Sequence, residues 1–178
     1  MRYLVLSCSL NPKSRSRILA RVVHQHLATR PGGAAFIDLQ DYQLPLSDAG
    51  ACYGHAHVAE VSPIVREAKG IIVATAIYNY NVSAATKNLL ELTGKAWDGK
   101  VVGFICAAGG HGSYMSVMPF ANSLMLDYRC HIIPRFVYAV PSHIDEHAFS
   151  DEAINRRVEE LAAETQRVTD ALFPLAAL

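Results

Sequence analysis

The chain has 178 residues, enough for one domain with a sizeable core, and 51% hydrophobic against 18% charged residues is ordinary globular usage. Lysine plus arginine equals aspartate plus glutamate, 16 against 16, so no whole-chain charge pulls it towards nucleic acid or an acidic membrane surface. The four cysteines, Cys8, Cys52, Cys106 and Cys130, form no C-x-x-C pair, which predicts reduced and mostly buried thiols in a cytoplasmic protein. No apolar run is long enough for a signal peptide or a membrane span.

In chain order, residues 2–8 read as a first strand and residues 9–17 as a polar loop running into a helix over 15–28. Ile18, Leu19, Val22, Val23 and Leu27 form that helix's apolar face, and Arg30-Pro31-Gly32-Gly33 stops it. Residues 34–39 are a short second strand, and 41–56 a long loop without periodicity. A second helix spans 58–69, with Pro63 placed near its first turn, where a missing N–H costs least. The β-branched run 70–74 is a buried third strand, followed by the loop 75–81 and a helix over 83–92. Gly94 and Gly99 are breakers, and 100–107 is a fourth strand. The glycine-rich loop 108–113 leads to a helix over 116–128, with Pro119 in an early turn. Residues 131–140 form a fifth strand that Pro134 interrupts, 141–150 a loop, and 151–172 a last helix striped by Ile154, Val158, Leu161, Thr165, Val168 and Leu172. Strands alternating with helices predict an α/β fold, a parallel sheet covered on both faces in one doubly wound domain over residues 1–178.

Two loops at strand ends carry the candidate chemistry. Ser9, Ser14 and Ser16 surround Lys13, Arg15 and Arg17 ahead of the first helix. Free N–H groups at a helix start, hydroxyl donors and arginine suit a monophosphate. The segment matches neither G-x-x-x-x-G-K-[ST] nor G-x-G-x-x-G. Alone, it reads equally well as an N-cap, Ser14, with solvated basic residues. The second loop, Thr75-Ala76-Ile77-Tyr78-Asn79-Tyr80-Asn81, offers flat aromatic faces with polar tips and amide donors and acceptors. Such a loop suits a flat ring with heteroatom edges, such as a flavin. In a sheet of order 2-1-3-4-5 the loops after strands one and three flank the switch point, where open α/β sheets bind ligands.

The segment Ser9-Leu10-x-x-x-Ser14-x-Ser16-x-x-Leu19-Ala20 is similar to the opening motif of NADPH-dependent FMN reductases of the flavodoxin-like fold. Tyr78-Asn79 and Lys87-Asn88 match a second motif of that family, roughly P-x-Y-N-x-S-x-x-x-x-x-K-N, and Gly109-Gly110-His111-Gly112 matches a third segment after strand four. The resemblance spans residues 2 to about 140. Cys8 stands where the family usually has glycine, Asn11 where many members have arginine, Ala76 where proline is common and Asn81 where the motif has serine. Tyr80 replaces a small residue, which would enclose the flavin edge or alter access to it.

The resemblance implies a flavodoxin-like three-layer sandwich with a five-stranded parallel sheet. It implies an enzyme using FMN and NADPH or NADH, passing hydride from nicotinamide to FMN and on to a flavin, quinone, azo or metal acceptor. The alternative is a flavodoxin-type electron carrier. Ser9, Ser14, Arg15 and Ser16, with Asn11 beside them, would hold the FMN phosphate; Ala76 and Ile77 to Tyr80, including Asn79, would meet the ring system; Gly109, Gly110 and His111 would lie on its other side. Lys87 and Asn88 are helix-surface or subunit-contact residues rather than ligands. No side-chain nucleophile is required, so no catalytic residue is named, and His111 is a candidate proton donor or a plain loop histidine.

The histidine pairs His24-x-His26, His55-x-His57 and His143-x-x-x-His147 lack partners for a zinc set, so no metal is expected. Met115, Met118 and Met125 read as core or interface packing, and the apolar fourth helix with Ile132-Ile133 suggests a homodimer or homotetramer.

Overall fold

The structure, a computed structural model, describes residues 1–143 and 151–175. Its strands are β1 (Tyr3–Ser7), β2 (Ala34–Asp38), β3 (Gly70–Tyr78), β4 (Asn81–Val82), β5 (Val101–Ala107), β6 (His131–Ile132) and β7 (Val137–Ala139). Its helices are α1 (Arg15–Ala28), α2 (Ala56–Glu67), α3 (Ala84–Thr93), α4 (Met118–Tyr128) and α5 (Glu152–Leu172). The sheet runs β2-β1-β3-β5-β6, parallel throughout that path, as a flavodoxin-like order requires.

Continuous apolar strands feed two cores, because successive side chains point to opposite faces. Tyr3, Val5, Ile72 and Ile105 pack with Leu19 and Val23 of α1 and Val158 and Leu161 of α5. Leu4, Leu6, Ile71, Val73 and Phe104 pack on the other side with Val61 and Val65 of α2, Leu89 of α3 and Leu124 of α4. α5 comes close to the sheet at two glycines. A Cβ on Gly70 would stand 2.7 Å from Thr169 Oγ1, and one on Gly103 2.9 Å from Leu161 Cδ1.

Several local expectations change. The fifth strand is two short strands on either side of Pro134, both paired with β5: β6 with Val101 and Val102, β7 with Ile105 to Ala107. Proline has no N–H for the ladder, so pairing lapses around it. α2 starts at Ala56, capped by the His55 side chain, which puts Pro63 inside the helix and not in its first turn. β4 is an antiparallel addition, paired to the end of β3 through Ile77–Val82 and Tyr78–Asn81. The loop 41–56 holds a 3₁₀ turn over Ala51–Gly54. In α5 the buried stripe ends at Thr169, and Leu172 is exposed. Within the predicted loop 141–150, Pro141–His143 is a 3₁₀ turn; residues 144–150, His147 among them, lie outside the described residues.

Candidate functional site

The loop after β1 is shaped from within. Ser14 caps α1, its Oγ accepting from the Arg17 N–H at 3.2 Å and lying 2.9 Å from Ser16 Oγ. Ser9 Oγ accepts from the Asn11 N–H at 3.3 Å, and Asn11 Oδ1 accepts from the Lys13 N–H at 2.9 Å. Arg17 fixes the whole turn. Its Nε and Nη2 grip Asp38 at the end of β2, Nη2 also reaches Ser9 O at 2.9 Å, and Nη1 donates to Asn11 O and Pro12 O at 2.9 and 3.2 Å. All five guanidinium N–H groups are therefore used, and both partners are buried, at 11% and 7% side-chain exposure. Arg17 is a scaffold for the loop and has no donor left for a ligand phosphate. Among the described residues, the N–H groups of Ser14, Arg15 and Ser16 meet no protein acceptor. They converge with the positive end of a 14-residue helix dipole, and the Lys13 and Arg15 side chains are exposed beside them.

The second wall is built on β3. A buried hydroxyl network ties its end to the start of α3: Thr75 Oγ1 lies 2.6 Å from Thr86 Oγ1, and Ser83 Oγ 2.9 Å from the same atom. Ser83 Oγ also donates to Cys8 O at 3.4 Å, so β1, β3 and α3 share one anchor. Between Tyr78 and Asn81 the chain reverses through Asn79 and Tyr80, at φ +50° and +58°. Positive φ at both central residues is the type I′ pattern. It suits asparagine but costs a residue such as tyrosine about 1–2 kcal/mol.

The third wall is the turn after β5. Tyr138 of β7 donates its hydroxyl to Gly110 O at 2.5 Å and meets Ser113 Oγ at 2.7 Å. Tyr114 stacks on Phe136 with ring centroids 4.7 Å apart. The turn is thus held from β7. An added Cβ on Gly109 or Gly110 would meet no protein atom within 4 Å, and neither has positive φ. The protein's own packing does not demand these glycines, and the space beside them is open.

Together the walls enclose a cavity of about 780 Å³ at the carboxyl ends of β1, β3 and β5. From the first loop and α1 it is lined by Ser9, Asn11, Ser14, Arg15 and Ser16, from β3 by Ala76, Ile77 and Tyr78, and from the third wall by Gly109. Four expected residues stand outside the lining. Asn79 and Tyr80 form the exposed tip of the hairpin, Gly110 is turned towards Tyr138, and His111 is exposed, edge-on to His143 at 5.8 Å. Sequence reasoning missed the lining residues Ile18 and Arg21, one and two turns beyond Ser14 along α1; their spacing from Ser14 was the available signal.

Other expected residues resolve into structural roles. Lys87 pairs with Glu91 at 2.8 Å. Asn88 staples the loop 41–56 to α3, accepting from the Ser47 N–H at 2.9 Å and donating to Pro45 O at 2.8 Å. Cys8 is fully buried beside Ser9, and burial pushes its thiol up to about 12, so it is no nucleophile at neutral pH. Ile133 is core, at 2% exposure, whereas Met115, Met118 and Met125 are surface residues. Among the described residues no three His, Cys, Asp or Glu side chains gather as a metal site.

The cavity fits FMN by the chemistry of its donors. Free N–H groups, hydroxyls and two exposed cations suit a dianionic phosphate, and Tyr78 and Gly109 line the same cavity. A family model described as NADPH-dependent FMN reductase matches residues 1–145. No curated protein sequence matches the chain. Among solved structures, an oxidoreductase from Corynebacterium diphtheriae superposes with a TM-score of 0.77 at 19% identity, over 96% of this chain and 98% of that one. The NADH:FMN oxidoreductase EmoB gives 0.73 at 19% identity, over 91% and 88%. FerB, a flavoenzyme NAD(P)H:(acceptor) oxidoreductase from Paracoccus denitrificans, gives 0.71 at 16% identity, over 93% and 97%. Those identities establish the shared fold. The family match, spanning most of the sequence and every loop that lines the cavity, shows that the chain belongs to the NADPH-dependent FMN reductase family.

Proposed function

We propose that the cavity holds FMN and that the chain, acting as one domain over residues 1–178, uses NADPH or NADH to reduce small acceptors: free flavin, quinones, azo compounds or metal oxyanions. Family membership makes it an NAD(P)H-dependent flavin reductase with FMN as its cofactor. FMN held there would supply the two-electron chemistry between nicotinamide and acceptor.

The protein's part is positioning and charge. The N–H groups of Ser14, Arg15 and Ser16, with the Ser14 and Ser16 hydroxyls and the exposed Lys13 and Arg15, hold the phosphate. Ala76, Ile77 and Tyr78 bound the ring on one side, with Asn79 and Tyr80 at the hairpin tip; Gly109 bounds it on the other, at the start of the turn that continues through Gly110 and His111. Among the described residues the N–H of Gly109, which lines the cavity, has no acceptor, and it stabilises negative charge at the ring edge. No acid–base dyad is assigned. The observation that carries this reading is the set of unpartnered N–H groups on residues that line one cavity, Ser14, Arg15 and Ser16 from the first loop and Gly109 from the turn after β5.

Direct oxidation of NADPH or NADH by purified FMN-loaded protein, followed against a panel of acceptors, tests it. Turnover without a second protein is expected. A flavoprotein that oxidises neither nicotinamide would instead be an electron carrier.

Four unpaired, buried cysteines support a cytoplasmic location. No helix among the described residues is long and apolar enough to cross a membrane. The exposed apolar residues Tyr114, Met115, Met118, Met125 and Leu126, on and just before α4, support a homodimer or homotetramer. A monomeric mass in solution would refute that assembly.

A further inference from the structure

The reversal between β3 and β4 breaks a local rule. Two-residue hairpin turns with both central residues at positive φ favour Asn-Gly, because glycine has no Cβ to strain. Asn79 obeys the rule, and Tyr80 at φ +58° does not. Tyr80 is 71% exposed, so burial returns little for the strain. Its hydroxyl lies 3.8 Å from the point a Cβ on Gly112 would occupy. The ring therefore leans from the hairpin tip towards the turn after β5, and those two segments carry the lining residues Tyr78 and Gly109. Strain held at such a place, with no packing reason for it, points to use of the ring itself.

We propose that Tyr80 is a specificity-determining residue for the electron acceptor. Its exposed face is a stacking platform for flat aromatic acceptors, quinones above all, beside the cavity mouth. This rests on the FMN-reductase reading. NADPH gives up a hydride and becomes NADP⁺; the quinone gains the equivalent hydride and one solvent proton and becomes the quinol. Tyr80 passes no electrons. It raises the occupancy of a flat acceptor over one without a flat face, such as ferricyanide.

The test compares Tyr80→Gly and Tyr80→Phe with the native protein, each first titrated with FMN. kcat/KM is then measured for menadione and for ferricyanide with NADPH as donor. Tyr80→Gly is expected to lower the menadione-to-ferricyanide ratio about three- to tenfold, the size of one aromatic stacking contact, mainly through KM for menadione. It should also raise Tm by about 2 °C as the positive-φ strain is relieved. Tyr80→Phe keeps the ring and should keep the ratio. An unchanged ratio in Tyr80→Gly, or a lowered Tm showing that the ring is structural packing, overturns the proposal. A native protein that binds FMN while the ratio stays flat defeats the role of Tyr80 alone; a native protein that binds no FMN defeats the underlying reading as well.

Discussion

Arg17→Met would remove the guanidinium that holds the phosphate loop while keeping an unbranched side chain of similar reach. Asp38, 7% exposed, would be left in the protein without its counter-charge, and the carbonyls of Ser9, Asn11 and Pro12 without donors. Removing one partner of a buried pair costs about 3–5 kcal/mol. The loop carbonyls of Asn11 and Pro12 stand near solvent and can turn to water, so they add little. Against a typical total of about 5–15 kcal/mol, the loss is large. At about 2–4 °C per kcal/mol for a chain of this size, Tm should fall by roughly 10 °C. FMN affinity should fall at least about tenfold, because the loop must then be ordered at the expense of about 1.4 kcal/mol of binding free energy. Arg17→Lys keeps the charge but not the planar five-donor fork, and should recover only part of both losses. Arg15→Met, at an exposed position, should leave Tm unchanged. Thermal melts and FMN fluorescence titrations read both effects. Native Tm together with native FMN affinity in Arg17→Met would refute the idea that this pair shapes the site.

Other outcomes follow from the same structure. Burial, with Lys69 and Arg66 nearby, lowers the Lys100 ammonium to about 8. Its folded value lies below its unfolded one, so the folded state disfavours the charge at neutral pH and that penalty fades as pH rises from about 8 towards 10.4. Lys100→Met should therefore be more stable than the native protein at pH 7, by about 1–2 kcal/mol after its lost bond to Arg66 O is counted, and the gap should close by about pH 10; a gap independent of pH would contradict this. A thiol reagent should label none of the four cysteines in the folded protein at neutral pH and all four in urea, and fast labelling of the folded state would show that the burial is wrong. Asp151 accepts from the N–H groups of Ala153 and Ile154 at 2.8 and 3.1 Å, so Asp151→Ala should cost about 1 kcal/mol in a urea melt with FMN affinity intact.

The sheet was legible because β1, β3 and β5 are buried on both faces and read as unbroken apolar runs. Its weak edge was not: β6 and β7 make only two and three pairs, and where pairing lapses around Pro134 depends on β5 rather than on local sequence. β4 escaped notice because it has two residues and its turn is Asn-Tyr in place of Asn-Gly. Within the site, serines and glycines at strand ends were readable as ligand chemistry. Arg17 was not, since a free cation and a buried clamp look alike until Asp38, on another strand, is brought beside it. Thr75, Ser83 and Thr86 likewise acquire meaning only once the β3 end folds onto the start of α3.

Two loops grip a phosphate-bearing flat ring in this reading, and the phosphate offers the sharpest test of that grip. Purified protein should be titrated in parallel with FMN and with riboflavin, which has the same ring and no phosphate. Charge-assisted hydrogen bonds from the Ser14–Ser16 backbone and Arg15 should make FMN bind at least about 100-fold more tightly, a difference of about 2.8 kcal/mol. Equal affinities for the two, or no binding of either, would contradict the account.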